Sequence, residues 1–239
     1  MFEPSSTLTK PECTLQKMWR YLSAGRLQDL LATQELFFAH IPTLDDTKEG
    51  MLTDRTQKLF VNWYQNQHNS TLEQAYESLR QYENHRVHSY VNCWHMNHHE
   101  SYLMWKAYAD RGFAIETTFE RLQASLHTTP AAINGGVVNY VDFERDTTHF
   151  GNVFSHVETK DMPYIDEREF RLLFWDIDQK NINYEKAGNG VRIRVDIKLL
   201  IERVIRNPFQ AVNSELERLL ELNGLQPAHS KVTTKPLVK

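Results

Sequence analysis

Cysteine is nearly absent from this chain: Cys13 and Cys93 are the only two in 239 residues. Two isolated thiols build neither a disulfide framework nor a cysteine-only metal site, which points to a reducing, cytoplasmic setting. No stretch approaches the roughly eighteen uninterrupted apolar residues of a membrane-spanning helix. The opening MFEPSSTLTKPE lacks the basic start and apolar run of an export signal, so neither insertion nor export is expected. Also missing are a P-loop, a GxGxxG after a strand, an HExxH and a CxxC pair, which removes the most recognisable nucleotide and metal signatures. There are no internal repeats, low-complexity tracts or Gly/Ser linkers.

What is present is ordinary globular material. Hydrophobic residues make up 41% and charged residues 24% of the chain, a balance that excludes disorder as the dominant state. Five Trp, ten Tyr and twelve Phe supply large bodies for a core. A net charge of −4 argues against broad electrostatic capture of nucleic acid, while leaving nucleic acid open as a substrate. The length suits one domain, residues 1–239, with a flexible arm at 1–14 and a helical insertion at 54–83.

Along the chain, KMWRY starts a first strand that carries Arg20. A helix then follows, capped by Ser23 and burying Leu27, Leu30 and Leu31. LFFAH reads as a second strand and LDDTKEG as a loop. The spacing of Leu59, Phe60, Trp63, Tyr64, Leu72, Ala75, Tyr76 and Leu79 predicts two helices broken near HNST. SYVNCWHM is a strand by its aromatic and β-branched content, and it feeds a helix through NHHE, where Asn97 or a nearby His would cap. FAIETTF is a strand and Phe119–Leu126 a short helix. GVVNYVD reads as one strand, and Phe143 to Asp166 is loop by default. REFRLLFWD, VRIRVD and ERVIRN are strands, and a last helix is capped by Ser214 and stopped by Gly224. Strand pairs with helices of unequal length, lacking a regular βα repeat, predict an α+β fold whose sheet is mixed and largely antiparallel.

Three constellations are able to carry chemistry. The first joins Arg20, the pair Thr117 and Thr118, and Glu167 with Glu169. Two glutamates two apart at a strand edge would point to one face. Cleavage of the nicotinamide glycosidic bond of NAD needs a carboxylate for the oxocarbenium-like centre, a cation for the pyrophosphate and a hydroxyl for the cofactor. The bland reading is a surface ladder of opposite charges and a strand-forming threonine pair. The second is CWHMNHHE, whose His95, His98, His99 and Glu100 fall too awkwardly for a four-ligand metal shell. A metal-dependent hydrolase or nuclease is therefore the weaker reading, and no metal is assigned. His98 and Glu100 would line a pocket mouth. The third is the set Trp19, Tyr21, Trp94, Trp105 and Tyr108, which suits stacking on a base or simple core packing.

The motifs WRYLS, LFFAHIPTLDDTKEG, YVNCWHMNHHESYLMWKAYADRGFAIETTF and DEREFRLLFW, in this order, resemble the bacterial family called domain of unknown function 2971 from about Lys17 onward. The family's usual Asn-Asp-Pro-Phe turn appears here as LDDTKEG, with Glu49 and Gly50 kept but no proline or aromatic. A fainter similarity links the order Arg20, Thr117 with Thr118, and Glu167 with Glu169 to ADP-ribosyltransferases, which carry an arginine, a Ser/Thr-rich strand and a Glu-x-Glu. That similarity implies a split sheet and NAD as substrate. It implies Glu169 as the catalytic carboxylate, with Glu167 positioning the acceptor. It further implies Arg20 on the pyrophosphate, Thr117 or Thr118 supporting the NAD pocket, and Tyr21 and Tyr108 stacking on nicotinamide. A toxin or anti-phage role, with a macromolecular acceptor and an antitoxin or defence-system partner, follows by the same implication. The competing expectation is a nucleotide-binding or sensing module without chemistry. Spacing leaves open which of Glu167 and Glu169 faces the cleft.

Overall fold

The structure is a computed structural model. It describes residues 1–232 apart from 4, 6, 153, 156, 178–184 and 208, and of 185–187 the backbone alone. Strand β1 (Lys17–Ser23) passes straight into helix α1 (Ala24–Thr33) because the Ser23 hydroxyl accepts from the Arg26 N–H and so starts the first turn. Leu27, Leu30 and Leu31 are buried as their spacing predicts, and Gln34 ends the helix in a left-handed conformation. Strand β2 (Glu35–His40) follows. The helix pair α2 (Asp54–His68) and α3 (Leu72–Glu83) breaks at left-handed Asn69 and restarts in a capping box between Thr71 and Gln74.

Strand β3 (Ser89–Met96) leads to α4 (Tyr102–Tyr108), capped by Ser101 rather than by Asn97 or a histidine. Next come β4 (Gly112–Thr118) and α5 (Phe119–Ser125), whose cap is Thr118. The expected single strand GVVNYVD is two, β5 (Asn134–Val137) and β6 (Asn139–Val141). They part because Val138 N–H turns to the Glu169 carbonyl while Asn139 N–H bonds the Glu158 carbonyl. The stretch expected to be loop holds β7 (Thr159–Asp161) and a 3-10 turn, Met162–Glu167. Then come β8 (Glu169–Trp175), β9 (Glu185–Ala187), β10 (Gly190–Arg194), α6 (Ile197–Leu200) and β11 (Arg203–Arg206). The last elements are α7 (Ser214–Leu222), capped by Asn213 instead of Ser214, and β12 (Ala228–His229).

Ten strands form one sheet, ordered β12-β11-β4-β1-β3-β2-β10-β9, with β8 along the other edge of β3 and β5 beyond it. Its pairs are antiparallel except β11 with β12, and the small second sheet pairs β6 with β7 in parallel. This is an α+β fold with a mixed, largely antiparallel sheet. Strand β3 is its branch point. Residues 18–19 of β1 meet Met96 and His95, residues 39–40 of β2 meet Val91 and Tyr90, and β8 pairs with β3 from Ser89 to His95.

Alternation along the strands divides the side chains between two covered faces. One face carries Met18, Leu22, Trp94, Phe113, Ile115, Phe170, Leu172 and Phe174 into the main core beneath α1, α5 and α7. Each such fully buried side chain contributes roughly 1.5–3 kcal/mol. The other face packs Trp19 and Tyr21 on Trp105 of α4, and separately Ile41, Val91, Val157 and Leu173. Near the start of the chain, Phe2 bridges Ile133, Leu8 is buried, and Val137 N–H bonds the Thr9 carbonyl. Among the described residues no helix is long and apolar enough to cross a membrane.

Candidate active site

Between the two apolar patches of the second face lies a buried group of charges. On β8, Phe170 and Leu172 point to the main core, so Glu169 and Arg171 must point the other way. Arg171 is 1% exposed and is held by a fork on Glu49, with Nη1 donating to Oε2 at 2.8 Å and Nη2 to Oε1 at 2.9 Å. Its Nε donates to Glu169 Oε2 at 2.7 Å, and Nη1 also reaches the Val157 carbonyl at 2.8 Å. Gly50 allows the approach of Glu49: at φ +72° it turns the chain in a conformation that side chains rarely adopt.

Lys160 on β7 joins the carboxylates. Its Nζ lies 3.3 Å from Glu49 Oε1 and 3.4 Å from Glu169 Oε1, donates to Glu167 Oε2, and sits 4.7 Å from the centre of the Tyr164 ring. Glu167 takes a second bond at Oε1 from the Tyr108 hydroxyl at 2.6 Å. Three carboxylates thus share two cations. Tyr108 and Tyr164 are 48% and 37% exposed, which places the solvent edge at Glu167 and leaves Glu169 on the inner side.

The two glutamates are not same-face neighbours on one strand, as their spacing suggested. Glu167 ends the 3-10 turn, Arg168 is left-handed at φ 43°, and only Glu169 belongs to β8. The turn is started by Asp161, whose carboxylate accepts from Met162 N–H, and it swings Glu167 back over Lys160.

The pair is electrostatically unequal. Burial and the neighbouring Glu169 charge raise the Glu167 pKa above the usual carboxylate range, against the pull of Lys160 and Tyr108. For Glu169 burial acts upward too, but Arg171 and Lys160 outweigh it and hold the pKa down to about 2. Burial opposes the charge on Lys160, yet Glu169 and Glu49 keep it protonated. Stability alone is a poor explanation for such a cluster, because apolar replacements of buried ion networks are often at least as stable.

The remaining expected site residues lie elsewhere. Arg20 projects into the opposite face, where Nη1 donates to the Cys93 carbonyl at 3.2 Å and the guanidinium lies 5.8 Å from the Trp94 ring. Burial lowers its pKa to about 10, and among the described residues no carboxylate is within ion-pairing distance. Thr117 shares that face; its hydroxyl is buried and unpartnered among the described residues. Thr118 is occupied as the cap of α5. Tyr21 is buried, accepts from Ser101 N–H at 2.8 Å and packs edge-on against Trp105, so it is not free to stack on a ligand ring. Trp19, Trp94 and Trp105 are also core.

His98 and His99 are exposed, and Glu100 is taken up by Trp105 Nε1 at 3.0 Å and Lys231 N–H at 3.0 Å. His95 is buried in β3. These four residues therefore diverge, and among the described residues no group of His, Cys, Asp and Glu is gathered for a metal ion. An aromatic groove of about 530 Å³ between α2, α3 and Phe150 includes none of the clustered charges.

Lys160 escaped the sequence reading because it stands in the stretch taken as loop. Glu49, Tyr108, Glu167, Glu169 and Arg171 do lie in the motifs quoted for the family resemblance, and those motifs converge here. No family model, curated protein or solved structure matches the chain.

Proposed function

We propose that the chain cleaves the nicotinamide–ribose bond of NAD and passes ADP-ribose to an acceptor, with Glu167 and Glu169 as the reacting pair. The observation that carries the reading is one lysine shared by two carboxylates whose affinities for protons are driven apart, the arrangement expected of an acid–base couple. Glu169, held ionised, supplies negative charge opposite an oxocarbenium-like ribose. Glu167 is at the solvent edge with a raised pKa, which suits a base that takes the proton of the incoming acceptor. Nicotinamide leaves with the electrons of the broken bond. The choice of NAD rests on the Glu-x-Glu similarity, as do the toxin or anti-phage role and any antitoxin partner. Arg20, Thr117 and Tyr21 have no part in this version of the site.

A second reading, a nucleotide-binding module without turnover, is favoured by one feature: both Glu169 oxygens are already engaged by Arg171 and Lys160. Purified wild type, Glu167→Gln and Glu169→Gln, incubated with NAD with and without cell lysate, separate the two. Chromatographic nicotinamide release by wild type, falling at least about 100-fold in Glu169→Gln, is the expected result. Absence of release by wild type in the presence of lysate would move the assignment to the binding module.

A further inference from the structure

The aromatic groove along α2 and α3 takes no part in the charged cluster and has a construction of its own. On α2, Phe60, Tyr64 and His68 follow at four-residue spacing and so share one face. Their ring centres are 6.2 Å and 4.4 Å apart in turn, and the row is about 12 Å long. On the facing helix α3, Gln74, Ser78 and Gln81 again share one face. The groove of about 530 Å³ runs on into a second hollow of about 380 Å³, and Tyr64, Ser78 and Gln81 border both. Trp63 and Phe150 border the aromatic end, where Trp63 is 44% exposed.

The polar wall is open to a ligand. Gln74 accepts from the Thr71 N–H at 2.9 Å and keeps its NH2 free, while Gln81 donates to Glu77 at 3.4 Å and keeps its oxygen free. The Ser78 hydroxyl has no partner among the described residues. Formal charge is scarce. Neither hollow is lined by lysine, arginine or aspartate, and Glu77 is paired with Arg80 at 2.6 Å. Burial lowers the His85 pKa, so its ring is neutral at pH 7. A phosphate would find no cation here, and an ammonium no free carboxylate. A planar base is best held between parallel faces, whereas Trp63 stands at 57–66° to Phe60, Tyr64 and Phe150. What fits is a neutral chain of puckered rings: C–H faces for the aromatic row, and hydroxyls that both donate and accept for the amides and serine opposite.

We propose that this groove binds a neutral oligosaccharide, with sugar rings against Trp63 and Tyr64 and hydroxyls on Gln74, Ser78 and Gln81. The site stands whether or not the charged cluster cleaves NAD.

The test is an array of neutral and acidic glycans probed with wild type, Trp63→Ala, Trp63→Tyr and Gln81→Leu. The strongest neutral ligand is then titrated by calorimetry beside adenosine and tetramethylammonium. Both substituted positions are exposed, so the variants should melt with wild type. Wild type is expected to retain a neutral oligosaccharide. Its affinity should fall about tenfold in Trp63→Ala and about fivefold in Gln81→Leu, and stay near wild type in Trp63→Tyr, which keeps a ring. Wild type that retains no neutral glycan overturns the proposal, as does neutral-glycan binding that is unaltered in both Trp63→Ala and Gln81→Leu. Retention of acidic glycans alone, or of adenosine or tetramethylammonium in place of any neutral glycan, overturns it too and gives the groove to that chemistry.

Discussion

Glu167 and Glu169 meet the same lysine from different kinds of backbone, the first from the end of a 3-10 turn and the second from the opening of β8, with left-handed Arg168 between them. On a regular strand both side chains would stand at the same height above the sheet. The turn instead lifts Glu167 to the solvent edge beside Tyr108 and leaves Glu169 against Arg171. This gives the two carboxylates different protonation behaviour, and the cluster can be probed residue by residue.

Arg171→Met should lower stability by about 3–5 kcal/mol, because Glu49 and Glu169 would remain buried without the guanidinium that neutralises them. Urea unfolding of the variant checks this. A loss under about 1 kcal/mol would mean that the cluster opens to water at little cost.

The depressed Glu169 pKa fixes a direction of acid sensitivity. Its folded value near 2 lies below the ordinary value of 4.5, so its contribution is fully present above about pH 4.5 and is lost as the pH falls toward 2. The shift corresponds to roughly 3 kcal/mol. Unfolding free energies measured between pH 6 and pH 3 should fall less steeply in Glu169→Gln than in wild type.

Glu158 acts with the opposite sign. It lies over Gly136, where any β-carbon would collide with its carboxylate, and its Oε1 is buried without a partner among the described residues. Burial raises its pKa to about 8 against the pull of Arg171. Stability from this group is complete below about pH 4.5 and drains away as the pH rises through 8. Glu158→Gln should therefore flatten the stability profile between pH 5 and pH 8. Gly136→Ala, by pushing the side chain outward, should give the same flattening. An unchanged slope in both variants would place Glu158 in water.

Tyr108→Phe removes a hydrogen bond that lowers the Glu167 pKa. Loss of that bond should raise the Glu167 pKa, so the acidic limb of the nicotinamide-release profile should move to higher pH while the overall stability changes little. A profile that keeps its acidic limb in place would remove Glu167 from the role of base.

Local structure was legible in the residues themselves. The Ser23 cap with Leu27, Leu30 and Leu31, the break between two helices near HNST, and the strands SYVNCWHM and FAIETT are short-range consequences of side-chain period and capping chemistry, and they appear where the sequence places them. The motifs quoted for the resemblance likewise held Glu49, Tyr108, Glu167, Glu169 and Arg171 without indicating that they meet. That meeting depends on the pairing of β3 with β8 across more than seventy residues and on a lysine from a segment with no periodic signal. The face taken by Arg20 was equally out of reach. Alternation says that Arg20 opposes Trp19, but only the register of Trp19 with His95, and of His95 with Glu169, puts Arg20 on the far side from the glutamates. Period and capping act within a few residues and are written in the chain. Register and long-range charge pairing are settled only when the sheet closes, because a slip of one residue reverses every face while leaving the local preferences nearly unchanged.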